Sequence, residues 1–348
     1  TCCRHGCSAD TTMSERAASS LDTRLLDAGA PDDVAEAVRL LRAGRLVAVP
    51  TETVYGLAGD AADPAAVRAI FAAKGRPTDH PLIVHLADAA AMPRWARDIP
   101  AEAWRLADAF WPGPLTLLLH RHPDAPAEVA GGRATIGLRV PAHPVLRGIL
   151  RALDGGLAAP SANPYQRLSP TTAAQVLAGL DGRIDAVLDG GACTVGLEST
   201  IVDLTGTVPR ILRAGPITRA QLEAALGRGV DFPTAHATAV PGNVAVHYRP
   251  RTPLLAMDAA RLRARLAPLA LAARIALAYL DPALPVVAPG IVAATRMPAD
   301  KPGYARALYG TLHALDALGV DAIWLETPPR DAAWRDVHDR LSRAATPG

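Results

Sequence analysis

The chain has 348 residues, half of them hydrophobic, and a formal net charge of +2. That length suggests two domains with a sizeable core, while the near-neutral charge and the 4% aromatic content argue against a protein that mainly wraps nucleic acid. No apolar run reaches the length of a membrane span and no signal-peptide pattern opens the chain, so a cytoplasmic location is expected.

Residues 1–31 lack periodicity and read as a disordered tail. Three of the four cysteines, Cys2, Cys3 and Cys7, lie there beside His5, with a metal site as the minor reading; Met13 is a candidate start, which leaves residues 1–12 outside the native protein. Asp33-Val34-Ala35-Glu36 has capping-box form and opens a helix with Val34, Val38 and Leu41 on one face, ended by Gly44. A strand at 46–49 follows, then a helix opened by Asp63-Pro64 and closed by Gly75, then a buried-type strand at 82–86. A helical pair is expected at 88–97 and 101–110, strands at 115–119 and 135–140, a helix at 143–153, a strand at 157–159 and a helix at 171–180. Strands near 184–188, 199–204 and 209–213 and a helix at 218–226 complete a first domain at 32–226, an α/β unit with a twisted mixed sheet. Residues 227–252 carry Gly, Pro and Thr without periodicity and read as a linker, and 253–348 as a smaller Rossmann-like α/β domain. Its elements are strands at 254–257, 274–280, 285–288 and 321–325 and helices at 259–267, 301–318 and 331–344; it has no glycine-rich dinucleotide fingerprint.

The chemistry concentrates in one place. The strand-like run Leu46-Val47-Ala48-Val49 breaks at a proline into Pro50-Thr51-Glu52-Thr53-Val54-Tyr55-Gly56-Leu57, and one helix later the chain delivers Lys74-Gly75-Arg76-Pro77. Lys74 is one of only two lysines, with Lys301, among 36 cationic side chains. Gly75 and Pro77 stop the helix and free Lys74 and Arg76 to converge, although a solvated cation pair at a helix end is the bland alternative. Small hydroxyl side chains at a strand end followed by two cations suit a small polar ligand and a phosphate.

Ser161-Ala162-Asn163-Pro164, Ser169-Pro170-Thr171, Gly196-Leu197-Glu198-Ser199-Thr200-Ile201-Val202-Asp203 and Ile211-Leu212-Arg213-Ala214-Gly215 follow in order. Together with the upstream segments they resemble the YrdC-like threonylcarbamoyl-AMP synthase family, in its long form with an extra C-terminal domain. The resemblance implies that L-threonine captures carbon dioxide, supplied as bicarbonate, and that the carbamate attacks the α-phosphate of ATP. Threonylcarbamoyl-AMP and pyrophosphate result, the former for threonylcarbamoyladenosine in tRNA. It implies Mg2+ accompanying ATP, no protein-bound metal, separate transferase proteins downstream, and at most weak RNA contact.

By that resemblance Lys74 and Arg76 are catalytic. Thr53, His85, Arg139, Ala159 (through its backbone) and Ser199 contact L-threonine. Arg76, His80, Thr135, Ser161, Ser169 and Arg213 contact the nucleotide with Lys74, as do His247 and Tyr248 from a linker that folds back over the site as a lid. Glu52 is expected to orient Lys74, Arg76 or a metal, and Asn163 to shape a turn. Four positions depart from the family pattern: His80 stands for Asn, Gln166 for Gly, Ala214 for Pro, and Asn243 for a bulkier apolar residue. A carbamoyl-adenylating module of the hydrogenase-maturation type and a non-enzymatic RNA-binding module are the competing readings; the first lacks its expected acylphosphatase and zinc-finger segments, and the second lacks basic residues and stacking aromatics.

Overall fold

The computed structural model describes residues 22–233, 238, 240–242, 247–269 and 272–346. Strand β1 (Arg24–Asp27) leads into helix α1 (Pro31–Arg42) and strands β2 (Val47–Val49) and β3 (Gly56–Asp60). Helix α2 (Pro64–Lys74), strand β4 (Ile83–His85), a 3-10 turn at Ala89–Arg94, strand β5 (Ala96–Arg97) and helix α3 (Ala101–Phe110) come next. Then follow β6 (Leu115–Arg121), β7 (Thr135–Arg139), α4 (Pro144–Leu153), β8 (Leu157–Ala158), α5 (Ala173–Leu180), β9 (Ala186–Asp189), β10 (Thr200–Asp203), β11 (Arg210–Arg213) and α6 (Arg219–Leu226). The C-terminal unit comprises β12 (Leu254–Met257), α7 (Ala259–Leu266), β13 (Ile275–Tyr279), β14 (Ile291–Arg296), α8 (Lys301–Asp316), β15 (Ala322–Glu326) and α9 (Arg335–Ala344).

The first sheet has eleven strands in the order β1-β9-β2-β3-β8-β4-β7-β6-β10-β11, with β5 paired to β6. Parallel and antiparallel ladders mix: β4 runs parallel to β7 and antiparallel to β8, and β6 runs parallel to β10 and antiparallel to β7. The second sheet, β12-β15-β13-β14, is parallel throughout. This is the mixed sheet with a smaller α/β unit that the sequence led us to expect. One apolar cluster joins the two units, packing Val54, Leu168, Leu197 and Tyr248 against Tyr304, Leu308, Tyr309 and Leu312 of α8. At Gly196, whose φ is +84°, a Cβ would lie 2.5 Å from the Cα of Arg306, so only glycine allows the 196 loop to approach α8 this closely. Among the described residues no helix is long and apolar enough to cross a membrane.

Several local expectations need correction. Part of the expected tail is ordered: β1 pairs in parallel with β9 and buries Leu26, a single apolar anchor too short to register as a periodic pattern. The capping box at Asp33 does not form. Pro31 starts α1 two residues earlier, Asp33 accepts from the backbone N–H of Asp27 at 2.7 Å, and Glu36 pairs with Arg39 instead. The strand β3 escaped notice because Gly56-Leu57-Ala58-Gly59 is small and glycine-rich, although it is buried on both faces. The expected helix at 88–97 is a 3-10 turn containing Pro93, followed by β5. The expected strand at 285–288 is absent: Pro285 and Pro289 flank it and Val287 is 97% exposed, while the true fourth strand, β14, is a half-solvated edge that lacks a buried-strand signature. Cys2, Cys3, His5, Cys7, Met13 and Asn243 lie outside the described residues.

Candidate functional site

A cleft opens where several strands of the first sheet end. It spans about 540 Å³, its mouth included, and the 50–56 segment between β2 and β3 forms one part of its lining. The ends of β4 and β7 contribute His85 and Arg139, which lie directly opposite each other in a parallel ladder. Ala159, Pro160 and Ser161 follow β8, Ser199 precedes β10, Arg213 ends β11, and Gly242, His247 and Tyr248 come from the linker. The structure therefore gathers Thr53, Arg76, His85, Arg139, Ala159, Ser161, Ser199, Arg213, His247 and Tyr248 in one lining.

Arg139 is tied in place by three donors. Its Nε donates to the Gly113 carbonyl at 3.2 Å, Nη1 to the Thr53 hydroxyl at 3.0 Å and Nη2 to Glu52 Oε1 at 2.6 Å. Two further guanidinium N–H groups remain for a ligand. Glu52 thus pairs with Arg139 rather than with Lys74 or Arg76, and its Oε2 is buried without a hydrogen-bond partner. Thr51 knots the segment: its hydroxyl accepts from the N–H groups of Thr53 and Val54 and meets the Thr53 hydroxyl at 2.8 Å.

His85 is buried, and its Nδ1 has no partner. Burial, with the Arg139 guanidinium behind it, pushes the imidazole down to about 3, so it is neutral and can offer a donor or an acceptor. Arg76 donates Nη2 to the Pro81 carbonyl at 3.0 Å, while its buried Nε is unsatisfied. Burial also holds Arg76 down to about 10. An orphaned guanidinium N–H lining a cleft is a ready anion contact.

Lys74 does not line the cleft. The left-handed Gly75 ends α2, as expected, and the Lys74 ammonium turns inward to donate to the carbonyls of Ser161 and Asn163 at 2.5 Å each. Burial, and after it Arg76, pushes this ammonium well below its usual range. Arg213 spans two segments: Nε and Nη2 donate to the Ser199 carbonyl, Nη2 also to the Ser199 hydroxyl at 2.9 Å, and Nη1 to the Pro241 carbonyl of the linker at 2.9 Å.

Three further expected residues stand outside the lining. Ser169 is fully buried and donates to Glu198 at 2.6 Å, and Thr135 lies at the start of β7 opposite His120. His80 stacks edge-on against Tyr165 at 5.6 Å and lies 3.5 Å from its hydroxyl. Gln166 adopts φ +65°, which explains why a glycine would suit that position.

The linker residues are held from the C-terminal unit. Glu198 is buried and accepts from Arg340 Nε of α9 at 2.8 Å, from Tyr309 of α8 at 3.1 Å and from Ser169. Arg340 also donates to the Ala214 carbonyl at 3.1 Å and lies 5.3 Å from the centre of the Tyr248 ring. Gly242, with φ +81°, leaves room for the Tyr248 hydroxyl, which a Cβ there would meet at 2.2 Å. The His247 and Tyr248 rings lie 4.0 Å apart, and burial pushes His247 down to about 3. Sequence reasoning missed Arg340 and Tyr309. A signal existed: Val337, Arg340, Leu341 and Ala344 share the buried stripe of α9, so the arginine interrupts an apolar face. Among the described residues no group of three His, Cys, Asp or Glu is placed to hold a metal ion.

Comparison with known proteins supplies the rest. The Sua5–YciO–YrdC family model, described as telomere recombination, matches residues 39–215, and the model described as threonylcarbamoyl-AMP synthase, C-terminal domain, matches 217–346. The chain is 35% identical over 322 residues to the threonylcarbamoyl-AMP synthase of Pyrococcus abyssi, a match covering 89% of this chain and 93% of that protein. It is 42% identical over 227 residues to the enzyme of that name from Bacillus subtilis, covering 64% of this chain and 65% of that one. Among solved structures, P. abyssi Sua5 complexed with L-threonine superposes with a TM-score of 0.85 at 31% identity, covering 93% of this chain and 98% of that one.

Proposed function

We propose a division of labour among the cleft residues of this chain, which belongs to the Sua5/YrdC family of threonylcarbamoyl-AMP synthases. The chain joins L-threonine, bicarbonate or carbon dioxide, and ATP into threonylcarbamoyl-AMP with release of pyrophosphate, the activated group for tRNA threonylcarbamoyladenosine. Chemically, the threonine amine adds to carbon dioxide and loses a proton. A carbamate oxygen then forms a bond to the α-phosphorus as the bond to the pyrophosphate oxygen breaks. Such a transfer needs alignment and positive charge more than a potent base.

The two free N–H groups of Arg139, with the Thr53 hydroxyl, grip the threonine carboxylate, and neutral His85 and the Ser199 hydroxyl fix the rest of the amino acid. The observation that carries the reading is that the cleft holding this group also presents the unpartnered Nε of Arg76 beside Arg213, cations in need of an anion. Arg76 and Arg213 take the phosphates together with Ser161. Lys74 acts from beneath by fixing the Ser161–Asn163 turn and lending its field. Thr135, Ser169 and His80 belong to the outer nucleotide surroundings. His247 and Tyr248 close over the site and keep water from the adenylate. Mg2+ arrives with ATP and is held mainly by phosphate oxygens and water, since the lining is rich in cations and the nearby Glu52 is already paired with Arg139. We further assign a cytoplasmic location, a handover to separate tRNA-modifying proteins, and at most weak RNA contact.

The test is pyrophosphate release from ATP by the purified chain. Release should require both L-threonine and bicarbonate, and Lys74→Ala or Arg76→Ala should lower it at least a hundredfold in a folded protein, an effect of the size seen when one preorganised charge contact is lost. Normal turnover in either variant sinks the site assignment, and release independent of threonine sinks the reading as a whole.

A further inference from the structure

Behind the turn that Lys74 holds, the structure contains a second hollow, of about 660 Å³ with its mouth. It is lined by Arg167, Arg249, Arg251, His313, Asp316 and the Asn163–Pro164 turn, among others. None of the three guanidiniums makes a hydrogen bond or ion pair with a described residue, and Arg249 Nε is buried without any partner. The one carboxylate present, Asp316, accepts from the backbone N–H groups of Arg251 and Thr252 at 3.0 and 2.7 Å, so a single negative charge is set against three guanidiniums, two of them exposed. Burial holds the His313 imidazole low, which favours its neutral form, and its Nε2 lies 3.2 Å from the Ser169 carbonyl. Three like charges gathered round one hollow repel each other, and an unmet buried N–H costs free energy; a bound anion relieves both.

We propose that this hollow is a binding site for a phosphate-bearing anion, separate from the substrate cleft, that fastens the end of the linker. The fastening follows from the backbone. Arg249 donates its N–H to the Gln166 carbonyl at 2.9 Å and bridges in parallel to Arg167, so linker and turn already meet at this point. Arg249 directly follows Tyr248 of the cleft, and Asn163, which lines the hollow, offers its carbonyl to Lys74. An anion held between Arg249 and Arg251 at the end of the linker and Arg167 on the turn ties the two segments together by charge-assisted hydrogen bonds. The site does not depend on the identity of the reaction in the cleft.

The test uses the full chain with its cleft filled by saturating L-threonine and a non-hydrolysable ATP analogue. Inorganic pyrophosphate is titrated in one arm and a short single-stranded RNA in the other, by calorimetry at low salt. A further saturable site is expected, weakened at least tenfold by Arg249→Gln and by Arg251→Gln and largely retained in Arg251→Lys. Arg251 is exposed and unpaired, so its glutamine variant should melt normally and bind the ATP analogue as the parent does. Arginine-dependent binding of pyrophosphate identifies a free small anion as the occupant, and arginine-dependent binding of RNA alone identifies a backbone phosphate. The proposal is overturned if neither probe saturates in the millimolar range, or if both bind the glutamine variants as tightly as the parent.

Discussion

Replacing Arg340 by methionine isolates the contact that joins the C-terminal unit to the cleft. The perturbation removes a guanidinium that is 1% exposed and leaves the Glu198 carboxylate, itself 7% exposed, with only the Ser169 and Tyr309 hydroxyls. The Ala214 carbonyl also loses its donor. Burial alone would raise the Glu198 carboxyl, yet Arg340, with Arg213, holds it below its usual value, so the charge depends on the arginines. Breaking a buried ion pair by deleting one partner costs about 3–5 kcal/mol, a large share of the roughly 5–15 kcal/mol that holds a domain folded. Replacing Glu198 by glutamine in the same chain removes the stranded charge while keeping both hydroxyl contacts, so most of the loss should return and the double-mutant cycle should show a coupling of about 2 kcal/mol or more. Urea unfolding followed by tryptophan fluorescence and far-ultraviolet circular dichroism reads both quantities. A loss below about 1 kcal/mol, or additivity in the cycle, refutes the argument that this pair fastens the units.

Three other outcomes follow. Arg139→Lys keeps the charge but loses the fork that reaches Gly113, Thr53 and Glu52 together; KM for L-threonine should rise at least tenfold while that for ATP moves much less, and an unchanged threonine KM contradicts the assignment. His85 and His247 both sit near 3 in the folded state against about 6.5 unfolded, so each stabilises above pH 6.5 and withdraws that support as pH falls towards 3. By linkage each removes about 2 kcal/mol between pH 7.5 and pH 5, and denaturant midpoints of His85→Asn/His247→Gln should fall less over that window than those of the parent. Gln166→Gly relieves a left-handed side-chain conformation while leaving the Gln166 carbonyl free to accept from Arg249; it should stabilise the chain by about 0.5–1 kcal/mol, and a lower urea midpoint would show that the Gln166 side chain contributes a contact worth more than the strain.

The legible parts of this chain are those fixed by local chemistry. Asp63-Pro64 and Gly75 bound α2 as read because cap and left-handed stop are one-residue decisions. The mixture of strands and helices yields two α/β units, and of the expected cation pair beside the Thr51–Thr53 segment Arg76 lines the cleft while Lys74 does not. What stayed hidden depends on partners distant in sequence. Glu52 finds Arg139 across 87 residues, and Glu198 finds Arg340 across 142, so neither pairing leaves a local pattern. The direction in which Lys74 points is equally non-local, since the carbonyls it meets come from a turn 87 and 89 residues away. Strands β3 and β14 were missed or misplaced for opposite reasons, the one too glycine-rich to look like a strand and the other too exposed.

The charges in and beneath the cleft, Arg76 and Arg213 in its lining and Lys74 behind the Ser161–Asn163 turn, give these long-range pairings a context. Arg139 is neutralised by Glu52, and Arg340 by Glu198, but Lys74, Arg76 and Arg213 meet only carbonyls and hydroxyls among the described residues. All three are pushed down by burial first, which means that the folded chain holds positive charge in a place that disfavours it. A carboxylate placed there would satisfy those cations permanently and leave nothing for a phosphate to gain. Folding therefore carries the cost of three under-neutralised cations, and the carboxylates nearby are already paired, Glu52 with Arg139 and Glu198, which itself lines the cleft, with Arg340. The arrangement is one in which stability is spent at the site, and it requires support elsewhere. The apolar cluster that packs α8 against Val54, Leu197 and Tyr248 buries hydrophobic surface beside those same segments, so the second unit contributes stability where the first leaves cations unmet.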